Sequence, residues 1–202
     1  MYKRMIVVVL AIAAAAFGAI AISQAASTPN ARHHRRPYKG AAVLYRQFSI
    51  FRSASAAAAT PLPPGEAEHL TEQGTEVAEY QLEPAQARYL SVDGAHAWVT
   101  PGRKGLCLTV LAPDGRTDTS TCGSSSQAAS KGDLLVSRES SGPVVYGLVP
   151  DGDSVTVTNQ DGSHGNVPVT SNFFKYSGSA STQSISVHSA GGTAVETTNL
   201  IE

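Results

Sequence analysis

Two cysteines, Cys107 and Cys122, place the tightest constraint on what this chain can fold into. Leu106-Cys107-Leu108-Thr109-Val110-Leu111-Ala112 and Arg116 to Cys122 are strand-like runs on either side of Pro113-Asp114-Gly115. Asp-Gly suits a tight turn that needs positive φ, so the stretch reads as a β-hairpin with one cysteine on each strand, closed by a disulfide. The pair encloses 14 residues. A bridge around a loop of about that size stabilises by roughly 3 kcal/mol in the chain-entropy picture, a large share of a small domain's stability. Disulfides persist mainly in oxidising compartments, so the hairpin also predicts export.

Downstream of His96 the pattern is one of short strands and turns. Ala97 to Thr100, Asp133 to Ser137, Val144 to Val149, Ser154 to Asn159, Asn166 to Thr170, Phe173 to Tyr176, Gln183 to Ser189 and Thr193 to Thr198 alternate with Gly-bearing turns. Asp-Gly recurs at 151 and 161 between strand candidates. Such spacing, without long helices between the strands, predicts a mainly β fold: a small antiparallel sandwich or open roll. Pro84 to Leu90 predicts one short helix before it, since proline suits the first turn and Ala, Gln, Arg and Leu are good formers. Asp93-Gly94 would end that helix. Ahead of it, six glutamates and no basic residue lie between Glu66 and Glu83.

The net charge of -1 conceals a segregation. Residues 1 to 59 carry eight Lys/Arg and no Asp or Glu; the remainder holds seven basic residues against sixteen acidic ones, a net of -9. Tyr2-Lys3-Arg4 is followed by 18 unbroken apolar residues, Met5 to Ile22, which predict an N-terminal hydrophobic helix, and then by Ser23-Gln24-Ala25-Ala26. Small residues placed this way match a signal-peptidase site, with cleavage after Ala25. The run exceeds the usual signal core of about 7–15 residues and just reaches the membrane-spanning range of about 17–25, so an uncleaved anchor is the alternative. The basic stretch after it, with Arg32, Arg35, Arg36 and Lys39, would put an anchored domain in the cytoplasm by the positive-inside rule. The cysteine hairpin argues against that. Arg32, Arg35, Arg36 and Lys39 are also where an envelope polymer or an anionic lipid would bind, although a solvated flank is the simpler reading. No specific nucleic-acid motif accompanies them, and His33-His34 lacks further ligands at metal spacing. Residues 41 to 59 read as a short helix packed on the domain or as an extended arm, followed by a proline-rich break at Pro61 to Gly65.

The chemical motifs are sparse. There is no phosphate loop, dinucleotide fingerprint or Gly-x-Ser-x-Gly elbow, and no cofactor is implied. Asp151-Gly152-Asp153 offers oxygens to calcium but falls far short of a ligand set. Thr119-Ser120-Thr121-Cys122 resembles the Thr-rich strand that carries the catalytic cysteine in sortases, with His69 or His96 as partner and Arg138 as oxyanion donor. The leucine expected two before the last Thr is missing, and Cys107 opposite would trap the thiol. A serine hydrolase would need His96, His164 or His188 beside a Ser and a carboxylate.

The order of features over residues 48 to 176 resembles a family of uncharacterised exported proteins from high-GC Gram-positive bacteria. The matching pieces are Phe48-Ser49-Ile50-Phe51-Arg52, the proline linker, Ala87-Arg88, Trp98-Val99-Thr100-Pro101-Gly102, Gly105-Leu106-Cys107-Leu108, Cys122, Val149-Pro150-Asp151-Gly152, Val155-Thr156-Val157, Asp161-Gly162, Val167-Pro168-Val169 and Asn172-Phe173-Phe174. Asp153 stands where that family has a small or apolar residue. The resemblance implies a shared fold and export, and it brings no activity or ligand.

The chain therefore divides into a signal peptide or anchor (1–25), a basic, Ala/Pro-rich flank and linker (26–65) and an acidic, mostly β domain (66–202). The expected function is that of an exported, non-catalytic domain that binds or decorates the cell envelope. The alternatives are a cysteine or serine hydrolase or transpeptidase at the cell surface, and a membrane-anchored regulatory protein.

Overall fold

The computed structural model describes residues 39–52, 62–63, 65, 75–111 and 117–201, all within a unit spanning Arg36–Glu202. The apolar run 5–22, the cleavage site, Arg32, Arg35, Arg36, the histidines at 33, 34 and 69, and the turn at 113–115 lie outside the described residues.

Two short helices come first, α1 (Lys39–Gln47) and α2 (Thr75–Tyr80). Four strands follow: β1 (Arg88–Val92), β2 (Ala95–Pro101), β3 (Gly105–Leu111) and β4 (Thr117–Ser124). Helix α3 (Ser125–Lys131) leads to β5 (Asp133–Glu139) and β6 (Gly142–Leu148), then β7 (Ser154–Asn159), β8 (His164–Val167), β9 (Phe173–Ser177), β10 (Thr182–His188) and β11 (Ala194–Asn199). The protein is mainly β. Its strands form three antiparallel sheets, ordered β1-β2-β3-β4, β5-β6-β9 and β11-β10-β7-β8.

The middle sheet explains why there are three layers. Strand β6 is buried along nearly its whole length. Successive strand side chains point to opposite faces, so Val144, Tyr146 and Leu148 enter one core and Val145 the other. Strand β9 splits in the same way, with Phe173 in the first core and Phe174 in the second. The first core is completed by Leu90, Ala97, Val99, Leu106, Leu108 and Val110 of the β1–β4 sheet. The second is completed by Val155, Val157, Val167, Ile185 and Val187. Gly147 of β6 has no room for a side chain, because a Cβ there would overlap the Phe174 ring.

Two segments differ from the sequence reading, and a third takes, over its described residues 41–52, the packed-helix form that was one of the two expected. Pro84 to Leu90 is a single 3-10 turn (Pro84–Gln86) followed by β1, so the expected helix is corrected to a strand. The local preference loses because Leu90 is buried opposite Ala97 and Tyr89 pairs with Trp98, and that packing outweighs propensity. Asp93-Gly94 is then the two-residue turn between β1 and β2, with φ of +49° and +74° as a primed hairpin turn requires. Finally, α1 and the turn Ser49–Phe51 are part of the first core: Leu44 and Phe48 are fully buried in it, with Ile50 and Phe51 beside them. The domain's packing thus begins at α1, ahead of the proline-rich break. Among the described residues, no helix is long and apolar enough to cross a membrane.

Candidate functional site

Cys107 and Cys122 face each other directly in the β3–β4 register and are joined in a disulfide, with Cα atoms 4.1 Å apart. That spacing is typical of the close, non-hydrogen-bonded pairs of an antiparallel ladder. The bond lies on the face of the sheet turned away from the first core, as do Trp98, Thr100 and Thr109, which are all buried. Leu62 and Leu111 pack on Trp98 there, and Tyr89 stands 4.9 Å from its ring. With its sulfur bonded to Cys107, Cys122 presents no thiolate in this structure.

The three histidines of the serine-hydrolase alternative are not gathered. His96 Nδ1 bonds the Tyr89 hydroxyl on the first sheet. His164 Nδ1 lies 3.0 Å from Thr158 Oγ1, and His188 Nε2 lies 2.8 Å from Thr156 Oγ1, both on the β7-containing sheet. Each imidazole is thus tied to a hydroxyl across a strand pair. Among the described residues, no group of His, Cys, Asp or Glu could hold a metal ion.

Asp151 instead holds a latch. Its Oδ1 accepts hydrogen bonds from the Ser49 N–H (3.0 Å) and Asn172 Nδ2 (2.8 Å), and its Oδ2 pairs with Arg52 at 2.5 Å. Asn172 donates from Nδ2 to the Val149 carbonyl as well, and its Oδ1 accepts from Ser49 Oγ and the Ile50 N–H. Burial acts to raise the Asp151 pKa, but the hydrogen bonds from Asn172, Arg52 and Ser49 outweigh it and hold the carboxyl below its ordinary value. Three segments named above for their resemblance, Phe48 to Arg52, Val149 to Gly152 and Asn172 to Phe174, therefore meet at one polar junction. It fixes α1 to the domain.

A second carboxyl sits at the start of β5. Burial pushes the Asp133 pKa up to about 6, against a hydrogen bond from Thr121 and the charge of Lys131. Its Oδ2 finds no hydrogen-bond partner among the described residues. Lys131 itself pairs with Glu196 at 2.5 Å.

A cleft of about 440 Å³ opens where the β5–β6 hairpin meets the β7–β8 turn and the chain end, lined by Arg138, Glu139, Pro143, Gln160, Thr182 and Ile201 among others. Its polar lining is Arg138, Glu139, Gln160, Ser179 and Thr182, with no histidine or cysteine.

The outer face of the β11-β10-β7-β8 sheet is polar and nearly uncharged. Because strand side chains alternate, the valines and Ile185 face the core and their neighbours face out. One cross-strand row reads His164, Thr158, Ser184, Asn199; the next reads Asn166, Thr156, Ser186, Thr197. Ser186 and Thr197 hydroxyls lie 2.9 Å apart, so this row is also cross-tied. These four strands contain no Lys or Arg and a single carboxylate, Glu196, which is opposite Val187 and engaged by Lys131. The face was legible only as an alternation of Ser, Thr and His with Val and Ile in β7 and β10. Its meaning depends on sheet order.

Comparisons with protein-family models, curated proteins and solved structures find no match.

Proposed function

We propose that this protein is an exported, non-catalytic domain that binds the cell envelope. The observation that carries the reading is the Cys107–Cys122 bond. A cross-strand disulfide fits an oxidising compartment, and it removes both thiols from chemistry. The charged start, the apolar run and the small residues ending at Ala25 support export by a cleaved signal peptide. His96 lies on a different sheet from His164 and His188, so the three do not converge on one site, which supports a binding role. Arg32, Arg35, Arg36 and Lys39 then follow the cleavage site and supply a basic flank for an envelope polymer or anionic lipid.

The 18-residue length of the apolar run favours a second reading, an uncleaved anchor that holds the same domain at the membrane as a regulatory protein. Expression of the tagged full chain, cell fractionation and alkylation of unreduced protein test the proposal. Recovery outside the cytoplasm with no alkylatable thiol is expected. Two reactive thiols in a cytoplasmic protein would overturn it, and a retained N-terminal segment would select the anchored form.

A further inference from the structure

We propose that the outer face of the first sheet, at Tyr89, Trp98 and Leu111, is a docking site for an extended, proline-flanked leucine segment of another protein, a site that this chain's own Leu62 fills in cis. The inference rests on the envelope-binding reading above and names the partner's chemistry.

Three neighbouring strands build the seat. Tyr89 of β1 and Trp98 of β2 are register partners with ring centroids 4.9 Å apart, and Leu111 of β3 joins them on the same face. Ladder pairing holds all three in place, whatever fills the seat. The occupant is Leu62, which is 8% exposed and packs on Trp98 and Leu111, with Ala87 and Tyr89 at the edge. It belongs to the run Thr60-Pro61-Leu62-Pro63-Pro64-Gly65. Leu62 and Pro63 are part of no helix or strand, and among the described residues their backbone makes no hydrogen bond to the sheet. A side-chain contact holds the segment, and a leucine from another chain can make the same contact.

The cis occupant also leaves the seat imperfectly matched. Trp98 is 5% exposed, and its indole N–H, which can only donate, finds no acceptor among the described residues. A buried donor without a partner favours an occupant that brings an acceptor. A proline-rich chain in the polyproline II form does so, because its carbonyls carry no internal hydrogen bonds. Aromatic-lined grooves take such chains at a low cost in chain entropy, since the conformation is already set. The seat therefore offers an apolar slot for the leucine and a donor for a carbonyl beside it. A competitor carried on the same chain acts at an effective concentration on the order of millimolar. Leu62 thus sets a threshold that weak partners do not pass.

The test is calorimetric titration of the unreduced full chain, recovered from outside the cell, with the acetylated and amidated peptide Thr-Pro-Leu-Pro-Pro-Gly. Leu62→Ser empties the seat and should bind the peptide about tenfold more tightly than the parent does. Leu62→Ala should act in the same direction and covers the case in which the serine variant does not fold. The same peptide with serine in place of leucine should bind neither. Trp98→Phe in the Leu62→Ser chain keeps a ring and removes the donor, and should weaken binding about threefold. Ser130→Lys in the same chain, exposed on α3, should leave binding unchanged. No saturable binding by either folded Leu62 variant, equal binding of the serine peptide, or equal affinity in parent and variants would overturn the proposal. Dimers of the parent that the peptide dissolves would overturn it in favour of a second copy of this chain. A protein found outside the cell with its disulfide formed, yet indifferent to the peptide in every variant, overturns this inference and leaves the envelope reading standing. A reduced cytoplasmic protein overturns both.

Discussion

Replacing Asn172 with alanine should unlatch the segment that carries α1 from the β domain. Asn172 is buried, has φ of +69° and makes four side-chain hydrogen bonds. Two of its partners, the Ile50 N–H and the Val149 carbonyl, are buried and would be left without a partner, at about 1–3 kcal/mol each. Alanine also tolerates the left-handed conformation less well than asparagine, by about 1 kcal/mol. Ser49 Oγ and Asp151 are only partly buried and can turn to water, so they add little. The expected loss is about 3–7 kcal/mol, against a typical domain stability of about 5–15. In a chain of this size that is a fall in Tm of about 10 °C or more. Urea unfolding followed by the fluorescence of the single tryptophan, Trp98, reads it. Asn172→Asp is the companion variant. It keeps the acceptor for Ser49 and Ile50 but sets a carboxylate against Asp151 Oδ1, now 2.8 Å from the amide. It should lose at least as much at pH 7 and regain part of that loss as the pH falls toward 4, where the pair takes up a proton. A loss below 1 kcal/mol for the alanine variant, or identical pH profiles for the two variants, would refute the latch.

Reduction, or Cys107→Ala with Cys122→Ala, should cost about 3 kcal/mol with the fold retained, measured as a shift in the urea midpoint of unreduced and reduced protein. Asp133→Asn should remove a pH dependence. The folded carboxyl has its pKa raised to about 6 against about 3.9 unfolded, so the native state binds the extra proton and the parent loses stability as pH rises from about 4 to 6. The variant should be flat across that window and about 1–2 kcal/mol more stable than the parent at pH 7, after allowance for solvent screening; parallel denaturation curves at pH 4, 5, 6 and 7 would contradict this. Gly147→Ala should lose about 2–3 kcal/mol in thermal melts, because the new methyl overlaps Phe174 between the two cores.

The parts of the fold written in local pattern were legible in the sequence. The hairpin of β3 and β4 carries its own turn signal and alternation, and Val155 and Val157 announce the inner face of β7. Pro84 to Leu90 was not legible, because most residues there favour a helix and only the pairing of Tyr89 with Trp98 and of Leu90 with Ala97 makes its second half a strand. The third layer was hidden for a similar reason. Strand β6 reads as a continuous apolar run, which does not say how many sheets it serves. The Asp151–Asn172–Ser49 junction joins residues 102 and 123 positions apart, so its partners cannot be inferred from spacing. Asp151 looked like a weak calcium ligand; in the fold its oxygens are taken by Ser49, Asn172 and Arg52. The outer face of the β7-containing sheet spans four strands, and its lack of charge becomes visible only when β11 and β8 are placed at its edges.

The central claim is that the protein works outside the cytoplasm as a disulfide-closed binding domain. Intact mass of the unreduced full-length gene product, recovered by cell fraction, tests it most directly. An extracytoplasmic species that has lost residues 1–25 and weighs two hydrogens less than its reduced form is expected. A cytoplasmic species of full mass with both cysteines as thiols would contradict it.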